Sequence, residues 1–200
     1  MLYKMLTDRI LNHLAVNTDM DMEHREIYAY SLERYISSFI DFIIFAVLAA
    51  ALRIPAETIV FALFYGPLRK YAGGYHAKTR GQCLVLSILT LVSVVFLAKE
   101  LALLNYWNIL SIVLLIITGL LIFLLAPVDS ENRRLPEEIK KQFRRNARLI
   151  FAADSLLLIL GVIYLGSFRS YVMIGVLAVL LEGMILIPNK LTFRQRYAPR

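Results

Sequence analysis

The chain has one cysteine, Cys83, in 200 residues. That excludes an intramolecular disulfide and any cysteine-rich metal site. Charge is also scarce: 18% of residues are charged, against 59% hydrophobic. With a mean hydropathy of +0.65, this balance excludes an ordinary soluble domain. Internal repeats and low-complexity linkers are absent. The stretch from Met1 to Arg34 is polar and charged, with no short apolar core followed by a small-residue cleavage site, so it does not read as a cleaved signal peptide. The net charge of +7 is the one feature that suggests nucleic acid. In so apolar a chain it reports cytoplasmic loops instead, and no nucleic-acid partner is expected.

What is present is a series of long apolar runs with charged interruptions between them. The expected fold class is an all-α polytopic membrane protein with about six transmembrane or membrane-embedded helical segments plus an N-terminal amphipathic helix. The whole chain reads as one integral-membrane domain: cytoplasmic or interfacial N-terminal helices over 1–35, a membrane bundle over 36–188 and a cytoplasmic tail over 189–200. Leu2, Leu6, Ile10 and Leu14 recur at helical spacing, with Asp8, Arg9 and Asn12 between them, as in a helix lying on a membrane surface. Asn17-Thr18-Asp19 offers a stop and a fresh cap. A second helix then starts near Asp21 or Glu23 and leads into an apolar span of about 36–52. The later segments are expected at about 56–68, 84–104, from Trp107 to Ala126, 149–165, and 171–187, the last stopped by Pro188. The 56–68 segment is short for a crossing and reads as tilted, partly sunk or extended past Arg69.

Lys and Arg set the orientation. Nineteen lie in the N-terminal segment, the Arg69–Arg80 stretch, the 129–148 loop and the C-terminal tail, whereas Arg53, Lys99 and Arg169 are the three in the alternate connections. The positive-inside rule therefore puts both termini and the two basic loops in the cytoplasm, and makes the short second segment a crossing one.

Chemistry concentrates in Arg69-Lys70-Tyr71-Ala72-Gly73-Gly74-Tyr75-His76-Ala77-Lys78-Thr79-Arg80-Gly81-Gln82-Cys83. On an unbroken helix His76 and Cys83 would share a face about 10 Å apart, too far for a proton transfer that needs about 3 Å. The pair is useful only if Gly81 or the segment around it breaks the helix, and the glycines permit such a turn. An apolar run follows directly, so Cys83 is expected at or near a helix N-terminus. There the helix dipole, Arg69, Lys70, Lys78 and Arg80 all favour an anion. A cysteine with such a neighbourhood and a histidine base is a nucleophile pair. On composition alone, a small buried cysteine and an interfacial histidine are the commoner finding.

The Arg-x4-Gly-x-His-x6-Cys pattern formed by Arg69, Gly74, His76 and Cys83 resembles the accessory gene regulator B family, bacterial membrane cysteine endopeptidases that process a quorum-sensing propeptide. Ala126-Pro127-Val128-Asp129-Ser130-Glu131-Asn132-Arg133-Arg134-Leu135-Pro136 is similar to that family's segment after the fourth span. The resemblance implies His76 as general base, Cys83 as nucleophile, Gly74 for loop shape and Arg69 for substrate or loop contacts. Arg133 and Arg134 stand where the family carries lysines. The resemblance also implies an AgrD-like propeptide partner with an amphipathic helix and an acidic tail. It implies no metal or cofactor, and it raises a homodimer that the sequence itself does not show.

Other residues extend this site. Asp129 is a candidate third catalytic member, orienting His76 through its other ring nitrogen; the alternatives are a helix-end residue in a proline-containing turn, or Asn132 in its place. Asp41, Asp154 and Glu182 fall within expected spans, where an ionisable group is costly and defaults to a paired or functional role. Glu182 is therefore a substrate-binding or loop-shaping candidate. Arg133, Arg134, Lys140, Lys141, Arg144, Arg145 and Arg148 make the 129–148 loop a topology signal and anionic-lipid contact, or a dock for an acidic peptide. His13 and His24 read as surface residues. The expected activity is cleavage of a short propeptide through a Cys83 thioester, with closure of a thiolactone or lactone, at a bacterial cell membrane. The alternative is a non-enzymatic membrane peptide exporter or regulatory peptide-binding protein.

Overall fold

A computed structural model describes residues 22–73, 79–128 and 136–197. The expected surface helix over residues 2–16 lies outside them. So do His13, Gly74, His76, Asp129, Asn132, Arg133 and Arg134. The described elements are helical: α1 (Met22–Ala51), α2 (Pro55–Ala72), α3 (Arg80–Leu101), α4 (Trp107–Leu125), α5 (Glu137–Tyr164) and α6 (Arg169–Tyr197), with a single 3-10 turn at Gly166–Phe168 before α6. Five of these regions are long and apolar enough to cross a membrane: Ser31–Ala51, Gly81–Leu101, Trp107–Leu125, Glu137–Tyr164 and Gly166–Ile187. The chain is a multi-pass, all-α membrane protein.

The described chain divides into two compact units, Met1–Pro55 and Ala56–Arg200. In the first, α1 ends where Arg53 takes a left-handed conformation, φ +58. The Ile54 N–H then reaches back to the Ala49 carbonyl at 2.9 Å. This closes the helix as glycine commonly does, here at the strain of a side chain in that region.

In the second unit, α6 is the hub. It packs against α3, α4 and α5, and α4 also packs on α5. Val172, Met173, Ile174, Val176, Leu177, Ala178 and Val179 are all buried, so α6 is enclosed around its circumference. Its partners present stripes at helical spacing: Ser111, Leu115, Thr118 and Ile122 on α4, and Ala147, Phe151, Asp154, Leu158 and Gly161 on α5. The hydroxyls in the α4 stripe are satisfied within the helix, Ser111 Oγ on the Trp107 carbonyl at 2.7 Å and Thr118 Oγ1 on the Leu114 carbonyl at 2.8 Å. Gly175 lets α6 close on its neighbours: a Cβ there would lie 2.5 Å from Leu158 Cδ2 and 3.0 Å from Phe64 Cδ2.

One expectation about helix ends is corrected and one is located. The last helix does not stop at Pro188 but runs on to Tyr197. Proline removes one ladder hydrogen bond, and a helix that is otherwise held can carry that loss. The break expected at Gly81 or around it falls just before that glycine: Thr79 is extended at φ −121, ψ 150, and Gly81 lies inside α3, whose first residue is Arg80. The short second segment extends past Arg69 as one helix through Pro67. Its 18 residues span about 27 Å, and it is not among the five regions long and apolar enough to cross a membrane.

Candidate functional site

The site is built where α2 ends. Phe61, Leu68 and Ala72 are buried on one stripe of this helix, which leaves Arg69 at the margin of the packed face. Its Nη1 donates to the Gly73 carbonyl at 3.2 Å and to Glu182 Oε2 at 3.4 Å. Glu182 is fully buried on α6. The Arg69–Glu182 pair thus joins the end of α2 to the hub of the bundle.

Gly73 terminates the helix in a left-handed conformation, φ +82. It pairs with Val128 in an isolated parallel bridge, and the Val128 N–H donates to the Ala72 carbonyl at 3.1 Å. A Cβ on Gly73 would lie 2.5 Å from the Val128 carbonyl oxygen, so only glycine permits this approach. The pairing ties the two segments that carry the sequence motifs, one leading from Arg69 towards His76 and the other from Ala126 towards Asp129. In the sequence His76 follows Gly73 by three residues and Asp129 follows Val128 directly.

The second segment is anchored from the other side. Arg148 on α5 donates from Nη2 to the Phe123 carbonyl at 3.0 Å, and its guanidinium lies 4.9 Å from the centre of the Phe123 ring. A cation is favourable at the carboxyl end of a helix, where carbonyls lack partners. Tyr71 meets Phe143 edge-on at 5.4 Å, which ties α2 to α5 as well.

Cys83 lies in the first turn of α3. Thr79 caps this helix, its side chain accepting from the Gln82 N–H at 3.3 Å. The Cys83 N–H donates to the Thr79 carbonyl at 3.1 Å. The thiol is free and exposed. Tyr65 stacks on Phe61 at 5.0 Å, one helical turn before Arg69.

The structure therefore brings Arg69 and Glu182 together, and places Cys83 exposed in the first turn of α3. Asp154 lies apart on the α5 stripe, buried, with Oδ2 lacking a hydrogen-bond partner among the described residues. Asp41 belongs to α1 in the first unit. Lys141, Arg144 and Arg145 are exposed on the first turns of α5, and Lys140 lies 3.9 Å from Glu137. Sequence reasoning missed Tyr65, Thr79 and the anchoring role of Arg148. Tyr65 was findable one helical turn before Arg69, and Thr79 as a threonine directly before a helix start. Among the described residues no group of three or more His, Cys, Asp or Glu is placed to hold a metal ion.

These features define a multi-pass helical membrane protein with an accessible thiol at the head of one helix and a part-buried ion pair between two others. Residues 7–186 match the model of the AgrB family, Accessory gene regulator B. The chain belongs to that family. It is similar to AgrB-like protein 2 of Clostridium perfringens (strain 13 / Type A), 27% identical over 150 residues, which is 73% of this chain and 68% of that protein. It is also similar to an AgrB-like protein of Clostridium acetobutylicum, 38% identical over 91 residues, 43% of this chain and 42% of that one. A further relative is the protein FsrB of Enterococcus faecalis, 32% identical over 100 residues, 48% of this chain and 40% of its own. No solved structure matches the chain.

Proposed function

We propose that the protein is a membrane-embedded cysteine endopeptidase acting in quorum-sensing autoinducer processing, the role of its family. Cys83 is the nucleophile and His76 the base that takes its proton. The thiolate attacks one peptide carbonyl of an AgrD-like propeptide, and the C-terminal tail leaves as the free amine, its nitrogen taking up that proton. The product is a Cys83 thioester. A cysteine or serine side chain within the peptide then attacks this thioester, closing a thiolactone or lactone and returning Cys83 to the thiol. Transfer in place of hydrolysis needs water kept from the thioester, which a pocket at membrane level assists. Asp129 orients His76, and Gly74 shapes the loop that carries His76.

The observation that carries this reading is the Gly73–Val128 pairing. It joins two motif segments more than 50 residues apart in the sequence, one of which leads on to His76 and Cys83. The acidic tail of the propeptide docks on Arg133, Arg134 and the exposed cations of α5, on the cytoplasmic side with both termini. One integral-membrane domain, anionic-lipid contacts and a homodimer in a bacterial cell membrane belong to the same proposal.

The test is release of the tail from a cognate propeptide in proteoliposomes by wild type, Cys83→Ala and His76→Ala, each checked for folding. Loss in both variants supports the pair. Normal cleavage by Cys83→Ala sinks the mechanism and favours the exporter.

A further inference from the structure

We propose that Glu182 is a positioning residue: acting through Arg69, it fixes the Gly73 carbonyl and so holds the paired 72–73 and 126–128 segments against the bundle hub. Its catalytic meaning rests on the peptidase reading above.

A carboxylate with no exposed surface is costly inside a membrane bundle, and a buried ion pair is often no more stabilising than an apolar replacement. What the pair adds is direction. One guanidinium nitrogen of Arg69 serves both the Glu182 carboxylate and the Gly73 carbonyl. Gly73 in turn is bridged to Val128. A non-covalent path therefore runs from α6, the most enclosed helix of its unit, through Glu182 and Arg69 to both motif segments. In the sequence the strut ends at Gly73, three residues before His76 and ten before Cys83. Among the described residues Glu182 Oε1 has no hydrogen-bond partner, and Oε2 meets Arg69 at 3.4 Å.

The experiment compares wild type, Glu182→Gln, Arg69→Gln and the double variant in two assays. Amide exchange at Val128 reads the pairing itself. At least tenfold faster exchange is expected in each single variant, and unchanged exchange in Glu182→Gln overturns the proposal. Tail release in proteoliposomes reads the consequence. Each single variant is expected to lose at least tenfold in kcat, with KM within twofold. The double variant should lose no more than the worse single one. Arg69→Gln alone strands a buried charge and is expected to unfold at a lower temperature, whereas the double variant regains that stability without regaining kcat. Losses that multiply in the double variant, or kcat that returns together with stability, contradict a positioning role. If Cys83→Ala still releases the tail, the peptidase reading falls, and the exchange result decides the strut independently.

Discussion

Replacing Gly73 by alanine perturbs the site at its tightest point. At φ +82 a residue with a side chain is strained by roughly 1–2 kcal/mol. The new Cβ also lies 2.5 Å from the Val128 carbonyl oxygen. That oxygen is backbone and cannot swing aside as a side chain would, so Val128 withdraws and its 3.1 Å bond to the Ala72 carbonyl is lost. A hydrogen bond of this kind contributes about 1 kcal/mol net. Together the two effects disfavour the paired arrangement by about 2–3 kcal/mol, which is roughly a 30- to 160-fold drop in its population relative to the unpaired one. The assay is the initial rate of tail release in proteoliposomes, with Gly166→Ala alongside. Gly166 has no atom within 4 Å of an added Cβ, so its variant should keep the wild-type rate. A Gly73→Ala protein within twofold of wild type would refute the idea that the pairing organises the site.

Further outcomes follow from single contacts. Thr79→Ala removes the cap of the Cys83 helix at a cost of about 0.5–2 kcal/mol; faster amide exchange in the first turn of α3 is expected, with Thr79→Ser restoring protection. Glu57→Gln breaks the 2.8 Å contact with Lys99, a half-exposed pair worth about 1 kcal/mol, so the melting temperature in detergent should fall slightly while tail release stays unchanged. Gly175→Leu overpacks the crossing of α6 with Leu158 and Phe64 by at least 1–3 kcal/mol, to order of magnitude; thermal unfolding should show it, and Gly175→Ala should cost less. Binding of an acidic-tailed propeptide should weaken steeply with salt, because the cations of α5 are exposed; salt-insensitive binding in a titration would count against that dock.

The helices were legible because apolar runs of span length have few other structures open to them in lipid. The start of α3 near Cys83 was legible for the same reason, since its apolar run begins directly after the polar stretch. The run through Pro188 was not, because proline marks a helix end only where nothing else holds the helix. Arg53 closing α1 in a left-handed conformation was hidden for a similar reason: glycine is the usual residue there, and the sequence offers none. The acid at Glu182 stood out as an expensive residue in a span, but its partnership with Arg69 depends on two helices meeting more than 100 residues apart, which no local pattern encodes. The Gly73–Val128 pairing is non-local in the same way. Gly73 could be read as a turn, but not what it turns against.

The central claim is that Cys83 becomes covalently acylated by the propeptide. It is tested most directly by intact-mass and peptide-mapping spectrometry of the protein quenched in acid during turnover in proteoliposomes. The account predicts an adduct on the peptide containing Cys83, equal in mass to the propeptide without its C-terminal tail, labile to hydroxylamine and absent from Cys83→Ala. Full tail release with no adduct at Cys83, or an adduct that persists in Cys83→Ala, would contradict it.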